Sequence, residues 1–273
     1  MDQYAVVGNP VNHSLSPQIH SLFAQETGQE MTYRALQIEP DRFEEQIRKL
    51  QAAGFRGLNV TVPFKQNAWE IVDAMSPRAR DAGAVNTLIL QPDGKIAGDN
   101  TDGIGLIRDL IANQHVLIER RKILILGAGG AVRGALGPIL AKKPDLVTIA
   151  NRTLSKAEKL AEDFYHVWDV QPSTYEALGK QSYDLIINGT SSGLTGEIPP
   201  IPDSILGANS VCYDMMYNTI QDTAFVKWAK DRGALRAFDG LGMLVEQAAE
   251  AFFVWRGKRP QTALVINMLR EGS

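Results

Sequence analysis

A lysine and an aspartate have the side chains best suited to proton transfer in this chain. Lys65 closes the segment NVTVPFK, which ends a predicted strand and begins a helix, so its ammonium lies at the positive end of a helix dipole. That field and an apolar surrounding favour the neutral amine, which suits a general acid/base. Asp102, in the turn GDNTDG, is expected to pair with Lys65 and hold it in position. A solvated lysine and a plain Asx-rich turn are the alternatives.

Two amides and a hydroxyl near the same segment are candidates for contacts to a small polar ligand. Asn59 and Thr61 alternate along the strand that leads to Lys65, so all three can face one cleft. Asn86, in the segment GAVNT, can hydrogen-bond a ligand hydroxyl. A buried asparagine that caps a turn would have the same local sequence, so both interpretations of Asn86 stay open.

Two serines precede the first predicted helix. Ser14 and Ser16 lie in the segment NHSLSP, and Ser16 followed by Pro17 is predicted to be the N-cap and first residue of that helix. A helix N-terminus with free hydroxyls also suits a carboxylate ligand. The two roles are compatible, so both serines are candidate ligand contacts.

The segment from Lys122 to Thr153 predicts one β-α-β unit that binds a dinucleotide. Its apolar run, Ile123 to Leu126, has the length and branching of a buried parallel strand. Gly127, Gly129 and Gly130 follow directly and lead into a helix. Glycines permit a tight turn and a close backbone approach, so the N–H groups at the start of the helix can hold a pyrophosphate.

The end of the next strand predicts which dinucleotide binds. An NAD-binding unit usually carries an acidic residue there, which grips the ribose diol. This chain has Asn151, Arg152 and Thr153 instead. The guanidinium of Arg152 offers a fork of donors that suits a phosphate dianion, and no carboxylate at that place repels one. We therefore expect NADP rather than NAD. The alternative for the whole segment is an ordinary β-α-β turn with extra glycines that binds no dinucleotide.

The composition limits the classes of function. The chain has 273 residues, 44% hydrophobic content and a net charge of −3, which favours a folded two-domain protein and argues against a nucleic-acid-binding surface. Cys212 is the single cysteine, so an internal disulfide and a thiolate metal site are excluded, and no metal is expected. Because no secretory signal or membrane-spanning run is visible, we expect a cytoplasmic protein without a membrane partner.

Strand-like and helix-like runs alternate along the chain and predict an α/β fold with two domains. We predict a substrate-binding and catalytic domain over 1–103 and a Rossmann-type NADP-binding domain over 104–239. The segment 240–273 contains the helical run GLGMLVEQAAEAFFVWR and is predicted to return to the first domain. In the second domain, apolar strands end near Thr190 and Met215, and ligands bind at such strand ends.

A series of motifs resembles shikimate dehydrogenase, the NADP-dependent family of the aromatic amino-acid pathway that reduces 3-dehydroshikimate. The motifs cover nearly the whole chain and are GNPVNHSLSP, NVTVPFK, GAVNT, GDNTDG, GAGGA, NRT, YDMMY and DGLGMLVEQA. The resemblance implies that Lys65 and Asp102 form the catalytic pair, with Lys65 handling the proton at the reacting oxygen while a hydride moves to or from the nicotinamide. A homodimer is left open.

The resemblance also implies which residues bind the substrate and the cofactor. The carboxylate end of the substrate would be held by Ser14, Ser16, Thr61 and Tyr217. Its ring hydroxyls would be bound by Asn59, Asn86, Asp102 and Gln247. The NADP site would be lined by Gly127, Ala128, Gly129, Gly130, Ala131, Asn151, Arg152, Thr153, Lys156, Thr190, Met215 and Gly240.

Other functions share parts of this pattern. A quinate/shikimate dehydrogenase would use NAD and accept an extra ring hydroxyl, and Arg152 argues against NAD. An enzyme of the methylene-tetrahydrofolate dehydrogenase type shares the two-domain plan and a lysine, but it needs an aromatic platform for a pterin, which we do not find near Lys65. A non-enzymatic NADP sensor would have no reason to keep Lys65 and Asp102 together.

Overall fold

The computed structural model describes residues 1–190, 192 and 196–271, and the chain folds into two compact units. The first unit comprises Met1–Gly105 and Val245–Met268. The second unit comprises Leu106–Leu244 and Leu269–Ser273. The chain passes from one unit to the other inside helices rather than through loops.

Strands and helices alternate in both units. The strands are β1 (Asp2–Gly8), β2 (Met31–Gln37), β3 (Phe55–Val60), β4 (Ala74–Met75), β5 (Thr87–Leu90), β6 (Ile96–Asp99), β7 (Lys122–Leu126), β8 (Leu146–Ala150), β9 (Val170–Ser173), β10 (Tyr183–Asn188), β11 (Leu206–Asp214) and β12 (Arg236–Phe238). The helices are α1 (Ser16–Thr27), α2 (Phe43–Ala52), α3 (Lys65–Ile71), α4 (Pro77–Ala82), α5 (Asp102–Arg108), α6 (Gly130–Leu140), α7 (Leu154–Phe164), α8 (Ala224–Asp231), α9 (Leu241–Arg256) and α10 (Thr262–Glu271).

The sheet of the first unit is mixed, with the strand order β2-β1-β3-β5-β6-β4. β1 runs parallel to both of its neighbours, whereas β5 runs antiparallel to β3 and β6. The antiparallel register places Asn59 opposite Thr87, and Thr87 opposite Asp99. Three polar residues from three strands therefore lie side by side across the sheet, next to the turns that follow β3 and β6.

The C-terminal part of α9 belongs to the first unit and packs on its sheet. The indole N–H of Trp255 donates to the main-chain oxygen of Leu88 at 3.0 Å. The ring occupies the space beside Gly57, where a Cβ would lie 2.3 Å from the indole nitrogen. Trp255 also packs beside the buried imidazole of His20, with ring centroids 5.6 Å apart. The glycine in β3 is thus required for α9 to approach the sheet closely.

The second unit has a parallel sheet with the strand order β12-β11-β10-β7-β8-β9. Alternate residues of β7, inside this sheet, belong to two different hydrophobic cores. Ile123 and Ile125 lie in one core, and Leu124 and Leu126 lie in the other. Both faces of the strand are therefore covered, which explains its unbroken apolar run. The α/β class and the Rossmann-type second unit expected from the sequence are confirmed.

One local prediction is wrong. Ser16 was expected to cap α1, but it is the first helical residue, and Leu15 occupies the N-cap position without a side-chain cap. The oxygen that accepts from the Ser16 main-chain N–H is the hydroxyl of Ser14, at 3.2 Å. Ser14 thus accepts from the free N–H of Ser16. An N-cap at Ser16 would instead accept from the N–H groups two or three residues further along the helix.

Candidate active site

The expected pair of opposite charges is present in the first unit. Lys65 is the first residue of α3, and its ammonium lies 2.6 Å from Oδ2 of Asp102, the first residue of α5. The Asp102 side chain is 9% exposed and that of Lys65 is 27% exposed. The lysine is therefore held by the carboxylate while part of its side chain stays accessible, which is the arrangement a proton donor to a bound ligand needs.

The backbone turn before α5 is fixed by side-chain hydrogen bonds. The main-chain N–H of Asp102 donates to Oδ1 of Asn100 at 3.1 Å, and the amide of Asn100 donates to the Ala84 oxygen at 3.0 Å. Asp99 accepts from the main-chain N–H of Asn100 at 2.7 Å. These contacts define where α5 begins, and so they place the Asp102 carboxylate.

Arg78 anchors the turn before α5 through Asp99. Arg78, on α4, makes two bonds to Asp99, at 2.7 and 2.6 Å, and a third to Glu250 on α9 at 2.9 Å. Although burial raises the pKa of Asp99, the donors Arg78 and Ser76 hold it below its ordinary value. A bidentate arginine fixes orientation as well as charge. Neither Arg78 nor Asp99 was predicted from the sequence, although Asp99 lies in the GDNTDG motif.

Asn86 bridges the charge pair to its surroundings. Its Nδ2 donates to Oδ1 of Asp102 at 2.8 Å and faces Oε1 of Gln247 at 3.3 Å. Its Oδ1 accepts from the main-chain N–H of Thr101 at 2.9 Å and from the hydroxyl of Thr87 at 2.9 Å. Asn86 is buried. The sequence left two interpretations open, and the structure shows an amide that orients Asp102 and meets Gln247.

The predicted substrate residues divide between the two units. The first unit holds Ser14, Ser16, Asn59, Thr61, Lys65, Asn86, Asp102 and Gln247. Tyr217 belongs to the second unit, where burial raises the pKa of its hydroxyl. The hydroxyl of Tyr217 thus stays protonated and can donate a hydrogen bond across the neutral pH range.

The start of α6 in the second unit has the features of an anion site. Its N-cap residue is Gly129, so the first N–H groups of the helix have no side-chain cap. A Cβ built on Gly129 or Gly130 would meet nothing within 4 Å. Gly127 has a φ of +99°, which favours glycine, and lies against the main chain of Gly189. An 11-residue helix with open space before its free donors fits a pyrophosphate.

The end of β8 presents two cations. Arg152 and Lys156 are exposed, and within the described part of the chain neither has a carboxylate partner. The turn that carries Arg152 is fixed by Asn151, whose main-chain N–H donates to the Ser173 oxygen at 3.1 Å and whose amide donates to the Thr153 oxygen at 2.8 Å. Lys156 lies in the first part of α7. One cation on an ordered turn and one on the helix that follows fit the 2′-phosphate of NADP.

The remaining predicted cofactor residues lie at strand ends of the same sheet. Thr190 follows β10 and donates its hydroxyl to Asn188 at 2.7 Å. Met215 follows β11, and a Cβ on Gly240 would lie 2.3 Å from its main-chain oxygen. Gly240 is therefore needed for the close approach of these two segments.

Three further observations concern metal binding, thiol chemistry and membrane insertion. Across residues 1–190, 192 and 196–271, no three His, Cys, Asp or Glu side chains are grouped so that they could hold a metal ion. The thiol of Cys212 is buried, which raises its pKa to about 12. No helix in the described ranges combines the length and the apolar character needed to cross a bilayer.

Comparisons with known proteins cover the whole chain. Residues 6–88 match the model of the shikimate dehydrogenase substrate binding domain, residues 110–195 that of shikimate / quinate 5-dehydrogenase, and residues 240–270 that of the shikimate 5'-dehydrogenase C-terminal domain. Shikimate dehydrogenase (NADP(+)) of Hahella chejuensis is 54% identical over 272 residues, which is 100% of both chains.

Solved structures agree with this match. An Ael1 enzyme from Pseudomonas putida superposes with a TM-score of 0.93 at 46% identity over 98% of each chain. The shikimate 5-dehydrogenase of Thermus thermophilus, solved in complex with NADP(H) and shikimate, has a TM-score of 0.88 at 31% identity and covers 100% of both chains.

Proposed function

Because the chain belongs to the shikimate dehydrogenase family, we propose that it catalyses the reversible, NADPH-dependent reduction of 3-dehydroshikimate to shikimate. The observation that carries the proposal is the Lys65–Asp102 pair, with 2.6 Å between Nζ and Oδ2. In a chain of this family it supplies the proton that a carbonyl needs when it becomes an alcohol.

NADPH, when bound, supplies the hydride that goes to the carbonyl carbon. The ammonium of Lys65 gives one proton to the carbonyl oxygen, so the C=O group becomes CH–OH. In the oxidation of shikimate, the neutral amine of Lys65 takes that proton back from the hydroxyl. Asp102 keeps the lysine in place and balances its positive charge, and Asn86 fixes the carboxylate.

The substrate roles implied by the resemblance are retained as proposals. The carboxylate is held by Ser14, Ser16 and Thr61. Their support is position, because the two serines lie at the start of α1 and Thr61 directly follows β3. The ring hydroxyls are bound by Asn59, Asn86, Asp102 and Gln247. The support is that Asn86 is hydrogen-bonded to each of the other three side chains, so all four lie together. Tyr217 keeps the role that the family resemblance gives it.

The cofactor is NADP, as in the named relatives. The open N-terminus of α6 receives the pyrophosphate, and Arg152 with Lys156 receives the 2′-phosphate. The other proposed cofactor contacts are Gly127, Ala128, Gly129, Gly130, Ala131, Asn151, Thr153, Thr190, Met215 and Gly240. The proposed domain division, 1–103, 104–239 and 240–273, is supported by the division of the chain into two compact units.

Assembly and location are finer proposals. A homodimer is supported by three exposed apolar side chains on α9 and α10, namely Phe253, Leu264 and Met268. Light scattering of the purified protein tests it. A cytoplasmic location is supported by the single buried thiol of Cys212, which suits a reducing compartment.

Reduced-nicotinamide absorbance tests the proposed function. Shikimate and quinate are each offered with NADP⁺ and with NAD⁺. We expect the highest kcat/KM for shikimate with NADP⁺. A preference for quinate with NAD⁺ would keep the chemistry and reassign both ligand sites, and the absence of reduction in all four pairings would overturn the proposal.

A further inference from the structure

An unbroken series of hydrogen bonds runs through the first unit from a tyrosine to the catalytic carboxylate. The hydroxyl of Tyr33 meets Oδ1 of Asn59 at 2.7 Å, and Nδ2 of Asn59 meets the hydroxyl of Thr87 at 3.2 Å. That hydroxyl meets Oδ1 of Asn86 at 2.9 Å, and Nδ2 of Asn86 meets Oδ1 of Asp102 at 2.8 Å. We call these five residues the relay.

The direction of the relay is forced from its carboxylate end. An ionised Asp102 accepts only, so Asn86 must turn its NH₂ toward it and its oxygen toward Thr87. The main-chain N–H of Thr101, which donates only, bonds that same oxygen. Thr87 has one proton and must donate it to Asn86, so it can only accept from Asn59. The oxygen of Asn59 therefore faces Tyr33, which must donate.

This direction determines what Asn59 can offer a ligand. Its two N–H bonds are both used, one by Thr87 and one by the main-chain oxygen of Asn86 at 3.3 Å. Its Oδ1 accepts from Tyr33 and keeps one lone pair. Asn59 can therefore accept a hydrogen bond from a ligand hydroxyl, but it has no donor left for a ligand carbonyl or ether oxygen.

Tyr33 is held so that its hydroxyl stays a donor. Its ring stacks on the imidazole of His20 with 4.1 Å between centroids and 8° between planes. Burial of the hydroxyl end raises the pKa of Tyr33 well above its ordinary value, against a smaller effect of Ser16. The phenol is thus protonated at every pH at which the enzyme works, and its single proton goes to Asn59.

We propose that Tyr33 is a positioning residue of the substrate site, which fixes the Asn59 amide so that Asn59 presents an oxygen to a donor hydroxyl of the ligand. The proposal rests on the proposed function for the identity of that ligand. Tyr33 touches no reacting atom in this scheme. It acts through Asn59, and it holds the Asn59 amide in the orientation that Asp102 also imposes through Asn86 and Thr87.

Tyr33→Phe tests this with little change in shape, because it removes the hydroxyl and keeps the ring on His20. We expect KM for shikimate to rise roughly three- to tenfold, the range for one lost hydrogen bond, while KM for NADP⁺ stays unchanged. The matched control is Tyr4→Phe, which removes a hydroxyl that faces Arg256 at 3.3 Å in the same aromatic cluster and has no bond to the relay. It should leave KM for shikimate unchanged.

A double-mutant cycle shows whether Tyr33 acts through Asn59. In the Asn59→Ala background, Tyr33→Phe should have no further effect on KM for shikimate. An equal rise in both backgrounds, or no rise in either, would overturn the proposal. If Tyr33→Phe does not fold, Thr87→Val breaks the same relay one step later, and Thr87→Ser should restore the wild-type KM because it keeps the hydroxyl.

A measurement without turnover separates this proposal from the proposed function. In ¹⁵N-labelled free protein, the side-chain amide protons of Asn59 should exchange slowly with water. They should exchange roughly three- to tenfold faster in Tyr33→Phe, which loses the hydrogen bond that holds the Asn59 oxygen, and at the wild-type rate in Tyr4→Phe. Fast exchange in the wild type would overturn the relay even if shikimate is oxidised, and slow exchange would support it even if another hydroxy acid proves to be the substrate.

Discussion

Replacing Lys65 by arginine or methionine is the most direct test of the catalytic chemistry. Lys65→Arg keeps a cation that can pair with Asp102, but a guanidinium does not give up its proton at working pH. Lys65→Met keeps most of the length and removes the charge. Both variants should fold, because Asp102 retains its bond from the Asn86 amide at 2.8 Å and its main-chain bond to Asn100.

The expected loss follows from the position of the ammonium. Lys65 is the basic group bonded to Asp102 in the described structure, at 2.6 Å, and part of its side chain is accessible. Acid/base help of this kind contributes about 10²–10⁴-fold to turnover, which corresponds to roughly 3–5 kcal/mol of barrier. We expect kcat to fall by that factor in both variants. NADP⁺ affinity should stay unchanged, because the proposed cofactor residues belong to the second unit.

The assay follows reduced-nicotinamide absorbance with shikimate and NADP⁺, and NADPH fluorescence gives the cofactor affinity. The comparison of the two variants separates charge from proton transfer. If Lys65→Arg kept turnover within about tenfold of the wild type, well short of the loss expected for acid/base help, Lys65 would serve to hold the substrate by charge, and its role in proton transfer would be refuted. A rise of KM with an unchanged kcat in both variants would lead to the same conclusion.

Three other perturbations have expected outcomes. Arg152→Ala should raise KM for NADP⁺ far more than KM for NAD⁺, since only NADP⁺ carries the 2′-phosphate; equal losses would contradict the phosphate contact. Gly57→Ala should lower the free energy of unfolding by about 1–3 kcal/mol, the usual cost of overpacking, because its Cβ would lie 2.3 Å from the Trp255 indole; a thermal melt at the wild-type temperature would contradict this. Burial lowers the pKa of His20 to about 3. Below about pH 6.5 the imidazole is therefore protonated in the unfolded chain but stays neutral in the folded protein. Stability should therefore fall as pH drops below about 6.5. The unfolding free energy of the wild type minus that of His20→Phe should decrease by about 2 kcal/mol from about pH 7 to about pH 5 in urea titrations; a constant difference would contradict it.

Much of the fold could be predicted because its signals are local. The apolar run before Gly127 and the glycines after it predict a buried strand and a helix start, and β7 and α6 lie there. The ion pair of Lys65 and Asp102 could also be predicted, since the turn GDNTDG lies where the first domain ends and places a carboxylate there. The N-cap of α1 could not, because the residue types do not fix whether the helix begins at Ser16 or directly after it, and only the backbone geometry decides.

The relay could not be predicted, because it depends on strand register. Asn59 and Thr87 are 28 residues apart in sequence and become neighbours only when β3 and β5 pair antiparallel. Tyr33 reaches Asn59 from β2, a strand that does not adjoin β3 in the sheet. Thr87 stood beside Asn86 in a motif, which offered a signal, whereas nothing in the local sequence distinguished Tyr33 from a surface tyrosine.

The contribution of α9 to the first unit has a consequence for how the protein is made on the ribosome. Residues up to Gly105 emerge early, but Trp255, which packs beside Gly57, is translated only after the whole stretch 106–244. At typical rates of synthesis the delay is on the order of ten seconds. During that time the sheet of the first unit lacks the helix that covers Gly57, whereas nearly all of the second unit has already been made. Newly made chains should therefore form most of the second unit first, while the face of the first sheet beside Gly57 stays uncovered and open to a chaperone.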